Sequence, residues 1–209
     1  DGEVFYGQDI YDKTYQLNEN EEYKITCNPK DQFKTEFTYS GYITNNNMHV
    51  TVGELGLWCS NVMIWEDAQR KSYNRILVLE DDISLKDNFK KLLEYFSLNL
   101  PRTFDLAYLD FKLFTGIDSL AIVNDYVNSF KDYASGSRAH AILISANGID
   151  KLLNLKKNGY KYPIDHFYFC YNTGKLNVFN HHPNSECNNF TKYLEVYSSS
   201  SPLVNLNEF

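Results

Sequence analysis

The sequence predicts an α/β fold, a mixed but mostly parallel sheet flanked by helices, and three observations carry that expectation. Ile76-Leu77-Val78-Leu79 is an unbroken apolar run of strand length. The segment after it repeats its apolar residues every three or four positions, at Phe89, Leu92, Leu93 and Phe96. The same order returns downstream, where Ala139 to Ser145 precedes a helical pattern through Leu152 and Leu155. Continuous apolar strands suit a sheet covered on both faces, and strand–helix alternation is how a chain builds parallel pairing.

Taken in order, residues 1–50 are a β-rich N-terminal segment, because Tyr23 to Thr26 and Phe33 to Ile43 are rich in aromatic and β-branched residues and are separated by Asn, Pro and Asp. From Thr51 the period changes. Leu55, Trp58, Cys59, Val62, Trp65 and Ala68 recur at helical spacing, which predicts a helix ending near Lys71 with both tryptophans in the core. Asp105 to Asp110 reads as a further strand, Phe111 to Tyr133 as a loop with a short helix, Pro163 to Tyr171 as a helix or turn, and Lys175 to Asn180 as a strand. The core so defined covers 51–197, and the serine run from Ser198 opens a flexible tail over 198–209.

A chain of 209 residues can bury roughly 70% of its unfolded surface, so its core needs no staple. The net charge of −7 and the lack of a basic run argue against a nucleic-acid partner. No apolar run approaches the ~18 residues of a membrane-spanning helix. Cys27, Cys59, Cys170 and Cys187 lack zinc-type or small-domain spacing and are read as reduced thiols, although a nucleophilic role for Cys59 or Cys170 beside a distant His stays formally open. A cytoplasmic location in a bacterial or viral source is favoured, with the secretory-pathway lumen as the alternative. In the lumen, the sequon Asn189-Phe190-Thr191 would matter.

In open α/β sheets ligands bind beyond the carboxyl ends of strands, where Glu80, Asp81 and Asp82 fall. Three adjacent carboxylates repel one another unless a cation offsets them, and a hard divalent ion, with a diphosphate as companion, is the simplest partner. The alternative is that Asp82 or Ser84 caps the following helix. Arg138 suits bidentate phosphate binding or an ordinary surface ion pair. His181 and His182 follow a late strand, as metal ligands or as solvated loop residues.

Three blocks resemble glycosyltransferase family 25, which includes lipooligosaccharide glycosyltransferases and collagen hydroxylysine galactosyltransferases. Gly53-Glu54-Leu55-Gly56 with Ser60 is similar to the family's Gly-Glu-x-Gly-Cys-x-x-Ser-His block, and Leu79-Glu80-Asp81-Asp82 follows it like the family's Leu-Glu-Asp-Asp signature. Gly136 to Ser145, with Gly148 and Leu152-Leu153, resembles the Gly-Thr-x-Ala-Tyr-x-Ile-Ser segment. Tyr162-Pro163-Ile164-Asp165 resembles the Pro-hydrophobic-Asp motif. Together they span about residues 51–170.

The resemblance implies a GT-A-like fold, a UDP-sugar donor, manganese or magnesium, and inverting transfer of a hexose, with galactose favoured and glucose the alternative, to a saccharide or glycosylated-protein acceptor such as hydroxylysine. It implies donor contacts from Glu54, Ser60, Glu80, Asp81 and Arg138, metal ligation by Asp82 and His182, and Asp165 as general base with Asp110 in reserve. For Asp165 the alternative is a helix N-cap. Leu57, Asn61 and His140 depart from the family's Cys, His and Tyr, so a catalytically silent domain that binds glycan or a protein partner is the second reading. Family domains open with a strand–helix unit that has no counterpart before Asp1, which predicts either a fragment of a longer polypeptide or a part whose partner strand lies elsewhere, with weak donor binding by this segment alone.

Overall fold

The computed structural model describes residues 15–17, 23–27, 34–39, 43–44, 47–50, 52–113, 120–130, 136–137, 139–157, 159–160, 163–173 and 193–207. The chain forms two compact units, the first from residues 1–73 and 149–164, the second from 74–148 and 165–209.

In the first unit, β1 (Tyr15–Leu17), β4 (Ile43–Thr44) and β5 (Asn47–Val50) form a small antiparallel sheet in the order β1-β5-β4, while β2 (Tyr23–Cys27) pairs antiparallel with β3 (Thr35–Tyr39). Helix α1 (Val52–Arg70) carries Glu54 in its first turn and Arg70 in its last, charges that complement the helix dipole. It ends in a Schellman motif, with Ser72 left-handed at φ 55°, Tyr73 N donating to Ala68 O and Ser72 N to Gln69 O. The expected apolar face is buried against aromatic rings. Trp58 stacks on Tyr160 at 4.2 Å and meets Trp65 edge-on at 6.3 Å, and Phe37 meets Tyr160 at 5.5 Å. Tyr160 is tied down by its N–H to Thr38 O and its hydroxyl to Leu152 O.

Cys27 and Cys59, both fully buried, form a disulfide with a Cα separation of 5.6 Å. The expectation of reduced thiols is therefore corrected for this pair. Strand pairing brings Cys27 of β2 against the inner face of α1, a proximity that a separation of 32 residues does not reveal. The Cys170 side chain and Cys187 lie outside the described residues.

The second unit holds a six-stranded sheet in the order β10-β11-β14-β8-β13-β6, made of β6 (Arg75–Leu79), β8 (Leu106–Tyr108), β10 (Leu120–Asn124), β11 (Val127–Phe130), β13 (Ala141–Ser145) and β14 (Val196–Ser199). This is the mixed sheet of an α/β fold, consistent with a GT-A-like architecture. Its pairing is not mostly parallel. Among the described strands only β8 and β14 pair parallel, because β13 lies antiparallel between β6 and β8. β6, β8 and β14 nonetheless run the same way, so their carboxyl ends share one edge. β6 is the last strand in the described order and is half-exposed rather than buried on both faces.

One other expectation changes and one is met only in part by the described residues. Within Phe111 to Tyr133 the described residues, 111–113 and 120–130, form β9 (Lys112–Leu113) and the antiparallel hairpin β10–β11 with no helix among them, and Asn124 Oδ1 accepts Tyr126 N at 2.9 Å to set the turn. Ser198 and Ser199, where a tail was expected to open, are buried in β14, and β15 (Val204–Leu206) pairs with β7 (Ile83–Leu85). Ser199 Oγ finds an acceptor there, donating to Leu109 O at 3.0 Å, whereas the buried Ser198 Oγ makes no hydrogen bond. The strand expected over 175–180 lies outside the described residues.

Helix α2 (Phe89–Asn99) packs Phe96 into a core with Leu100, Phe104, Ala107, Leu109, Val127, Ala141, Leu143, Leu203 and Val204. It is preceded by Asn88 at φ 61°, so neither Asp82 nor Ser84 caps it. β12 (Gly136–Ser137) pairs with β9. Helix α3 (Ala146–Lys156) starts with Ser145 as its cap, whose Oγ accepts Gly148 N at 3.0 Å. Helix α4 (Ile164–Thr173) carries Asp165 in its first turn.

Candidate functional site

The site forms where β6 runs out. Glu80 N donates to His140 O at 2.7 Å, one step beyond the Leu79–Ala141 pair, and Asn207 N donates to Asp82 O at 2.7 Å. These two backbone bonds pin the acidic turn at both ends. Antiparallel register then decides which side chains meet. His140 Nδ1 lies 2.5 Å from Glu80 Oε2 and 3.4 Å from Asp82 Oδ1, and ligand-type atoms of the three residues all fall within 4.8 Å of one another. Asp81 is exposed, so the acidic trio is divided.

The Asp82 side chain is one-third exposed, yet its Oδ1 is closed off from solvent and accepts no hydrogen bond. Such a buried acceptor is costly unless a positive group meets it. Two carboxylates and an imidazole, with one oxygen left unsatisfied, are a donor set that fits a divalent cation.

The other acids expected at the site approach the same sheet edge. Leu109 N donates to Ala141 O at 2.9 Å, so Asp110, which is buried, leaves the carboxyl end of β8 on the far side of β13 from Glu80. Asp165 stands in the first turn of α4, past its start, and is not an N-cap. It lies near enough to Tyr108 for its charge to act there: burial pushes the Tyr108 phenol well above its ordinary value, and the Asp165 carboxylate adds to the rise. Tyr108 therefore stays neutral beside that acid.

Glu54 and Ser60 belong to the first unit. Ser60 Oγ donates to Gly56 O and Asn61 Nδ2 to Leu57 O, both at 3.0 Å, so these side chains bond to their own helix. Arg138 and His182 lie outside the described residues. The residue that sequence reasoning missed is His140, taken as a replacement rather than as a member of the cluster. Its signal was the pairing direction of β13, since only an antiparallel neighbour sets the start of that strand against the end of β6.

A family model described as glycosyltransferase family 25 (LPS biosynthesis protein) matches residues 9–168. The chain belongs to glycosyltransferase family 25. Among similar proteins, a "Glycosyltransferase 25 family member" of Aedes aegypti is 30% identical over 74% of this chain and 24% of its own length. The mouse "Procollagen galactosyltransferase 2" is 28% identical over 72% of this chain and 22% of its own length. The rat "Probable inactive glycosyltransferase 25 family member 3" is 29% identical over 66% of this chain and 23% of its own length. The chain thus spans about a quarter of the length of these relatives. The segment matched to family 25 contains Glu80, Asp82, Asp110, His140 and Asp165. No helix among the described residues is long and apolar enough to cross a membrane.

Proposed function

We propose that this family 25 chain carries the donor-binding and catalytic core of a metal-dependent glycosyltransferase, which moves a hexose, galactose in preference to glucose, from a UDP-sugar to a saccharide or hydroxylysine glycan with inversion. The observation behind this reading is the group of Glu80, Asp82 and His140 at the carboxyl end of β6, with the Asp82 oxygen left without a hydrogen bond. Asp82 is the central ligand. Manganese or magnesium held there would supply positive charge to stabilise the departing diphosphate.

The chain's own acids do the rest. An inverting displacement needs one base on the face of the sugar opposite the leaving group, to take the proton from the attacking hydroxyl. Asp165 is assigned that role, because the first turn of α4 presents its carboxylate close to Tyr108 at the end of β8, and Asp110 is the reserve. Asp81, exposed beside the cluster, and the first-unit residues Glu54 and Ser60 are assigned to the donor, with Arg138 for its phosphates and His182 as a further metal ligand.

The Cys27–Cys59 disulfide supports an oxidising compartment, and so the secretory lumen over the cytoplasm. A second reading, a silent GT-A-like domain that binds glycan or a protein, is favoured by the relatives named inactive and by Asn61, whose amide is spent on its own helix. Calorimetric titration of UDP with and without manganese tests the proposal. Manganese should be required for tight binding, and Asp82→Ala should abolish the manganese-dependent binding with the fold unchanged. Equal affinity of variant and parent, with metal, sinks the assignment.

A further inference from the structure

Six of the large apolar side chains that stay exposed collect on one part of the second unit. Leu92, Tyr95 and Leu98 follow one another at three-residue spacing along α2, and Ile122, Val123 and Tyr126 come from the β10–β11 hairpin. The two groups are joined. Tyr95 stacks on Tyr126 with ring centroids 6.1 Å apart, and Asn124 Nδ2 donates to Asn99 O at 3.0 Å. Ile122 is 85% exposed and Leu98 75%. At roughly 150–250 Å² per large side chain, the six leave roughly 500–800 Å² of apolar surface open, more than most monomers expose in one patch and close to what one partner contributes to a standard interface.

This patch borders a sheet edge. β10 ends the order β10-β11-β14-β8-β13-β6, so among the described strands one side of its backbone meets no neighbour. Edge strands are usually guarded by charge or proline. β6, at the other end, carries Arg75 and runs into Glu80, Asp81 and Asp82, whereas β10 reads Leu-Ala-Ile-Val-Asn and has neither guard. A register shift at Val123 bends the strand but adds no charge. Ile122 pairs with Asn128, one step from Val127 in the core beneath α2, so Ile122 projects from the sheet face away from α2 while the Tyr95–Tyr126 stack lies on the α2 side. A strand laid along β10 would find apolar cover on both faces.

We propose that the open edge of β10 pairs antiparallel with the same strand of a second copy of this chain, giving a two-fold dimer with one continuous sheet. The strand is its own complement. Pairing about Ile122 sets that residue against its copy, Leu120 against Asn124 and Ala121 against Val123, so no like charges meet along the ladder although the chain carries −7. Because β6 lies at the far end of the order, the acidic turn stays open in both copies. At ~4.8 Å per strand the two turns stand roughly 50 Å apart, at opposite ends of the joined sheet.

Sedimentation velocity on the full chain from about 1 to 100 µM tests this. The parent should dimerise over that range. Ile122→Lys should weaken the dimer at least about tenfold, and Leu85→Lys, at an exposed apolar position on β7, should leave it within about twofold. Directly opposed residues of an antiparallel pair have Cα atoms about 4.5–5.5 Å apart, within reach of a disulfide. Mild oxidation of Ile122→Cys should therefore give a covalent dimer whose linked peptides, read by mass spectrometry, join through position 122. That position faces solvent, so this variant carries the test if the lysine variant does not fold. A parent that stays monomeric overturns the proposal and leaves the patch to a different chain. A dimer that Ile122→Lys does not weaken, or an oxidised variant with no link through position 122, overturns it as well.

Discussion

Gly148→Ala should damage the second unit more than any other single methyl group added to α3. A Cβ at this position would stand 2.3 Å from Asp105 O, 2.9 Å from Asp105 C and 3.1 Å from Asp105 Cα, all backbone atoms. A normal carbon–oxygen contact is about 3.5 Å, so one segment must retreat by about 1 Å. Neither is free to do so. Asp105 O accepts Ser145 N at 3.0 Å, the fully buried Asp105 carboxylate accepts Asn147 Nδ2 at 2.6 Å and Glu195 N at 2.8 Å, and Gly148 N is bound by the Ser145 cap.

Overpacking of a tight contact costs about 1–3 kcal/mol, and the retreat weakens one or two of these bonds at about 1 kcal/mol each. Alanine returns up to about 1 kcal/mol of helix propensity. The net loss is about 2–4 kcal/mol, a fall in melting temperature of about 4–16 °C for a chain of this size. Thermal and urea unfolding followed by circular dichroism measure it, with the exposed Asn154→Ala on the same helix as control. A Gly148→Ala melt within about 1 °C of the parent would refute the argument that Asp105 is held from both sides.

Reduction of the Cys27–Cys59 disulfide, or Cys27→Ser with Cys59→Ser, should cost roughly 3–4 kcal/mol for a 32-residue separation, visible as a lower melting temperature in dithiothreitol; a parent melt indifferent to full reduction, checked by thiol counting, contradicts it. Asp165→Asn should lower turnover by roughly 10²–10⁴ and leave UDP affinity within about threefold, whereas a matching loss of UDP affinity would move Asp165 into the donor site. Burial pushes the Asp67 carboxyl up, but Lys71 and Arg70 together pull harder and hold it below its ordinary 3.8. A depressed carboxyl contributes stability that is present above the unfolded value and is lost as pH falls through the folded one, so the parent should lose stability below about pH 3.8 more steeply than Asp67→Asn. Parallel acid-unfolding curves would dismiss the linkage.

The parts of this fold that were legible are those written in local period. Val52–Arg70, Phe89–Asn99 and Ala146–Lys156 announce themselves by apolar spacing, and β6, β8 and β13 by short apolar runs. Pairing direction is not local. A run such as Ala-Ile-Leu-Ile-Ser reads the same whether its neighbours are parallel or antiparallel, and so β13 was misdirected and His140 misjudged. The β10–β11 hairpin was obscured because Asp125-Tyr126 lacks the glycine that marks most tight turns, and Asn124 supplies the bond instead. At the site, the acidic trio was visible, but its division was not. Which of three adjacent carboxylates points inward depends on where the last ladder bond falls, and that is set sixty residues away at His140.

Neither compact unit is a continuous stretch of chain, and this has a consequence during synthesis. The first unit needs residues 149–164, whose Tyr160 covers Trp58 and whose Lys156 bonds Thr35 and Glu66, yet the 91 residues from 74 to 164 must be translated after Tyr73 before these partners exist. At about 5–20 residues per second that interval is roughly 5–20 s. Throughout it the indole surface of α1 lacks its native cover on the nascent chain. The wait falls in the window in which a thiol oxidant can join Cys27 to Cys59, so the covalent tie between β2 and α1 can form before the ring that completes their packing has left the ribosome.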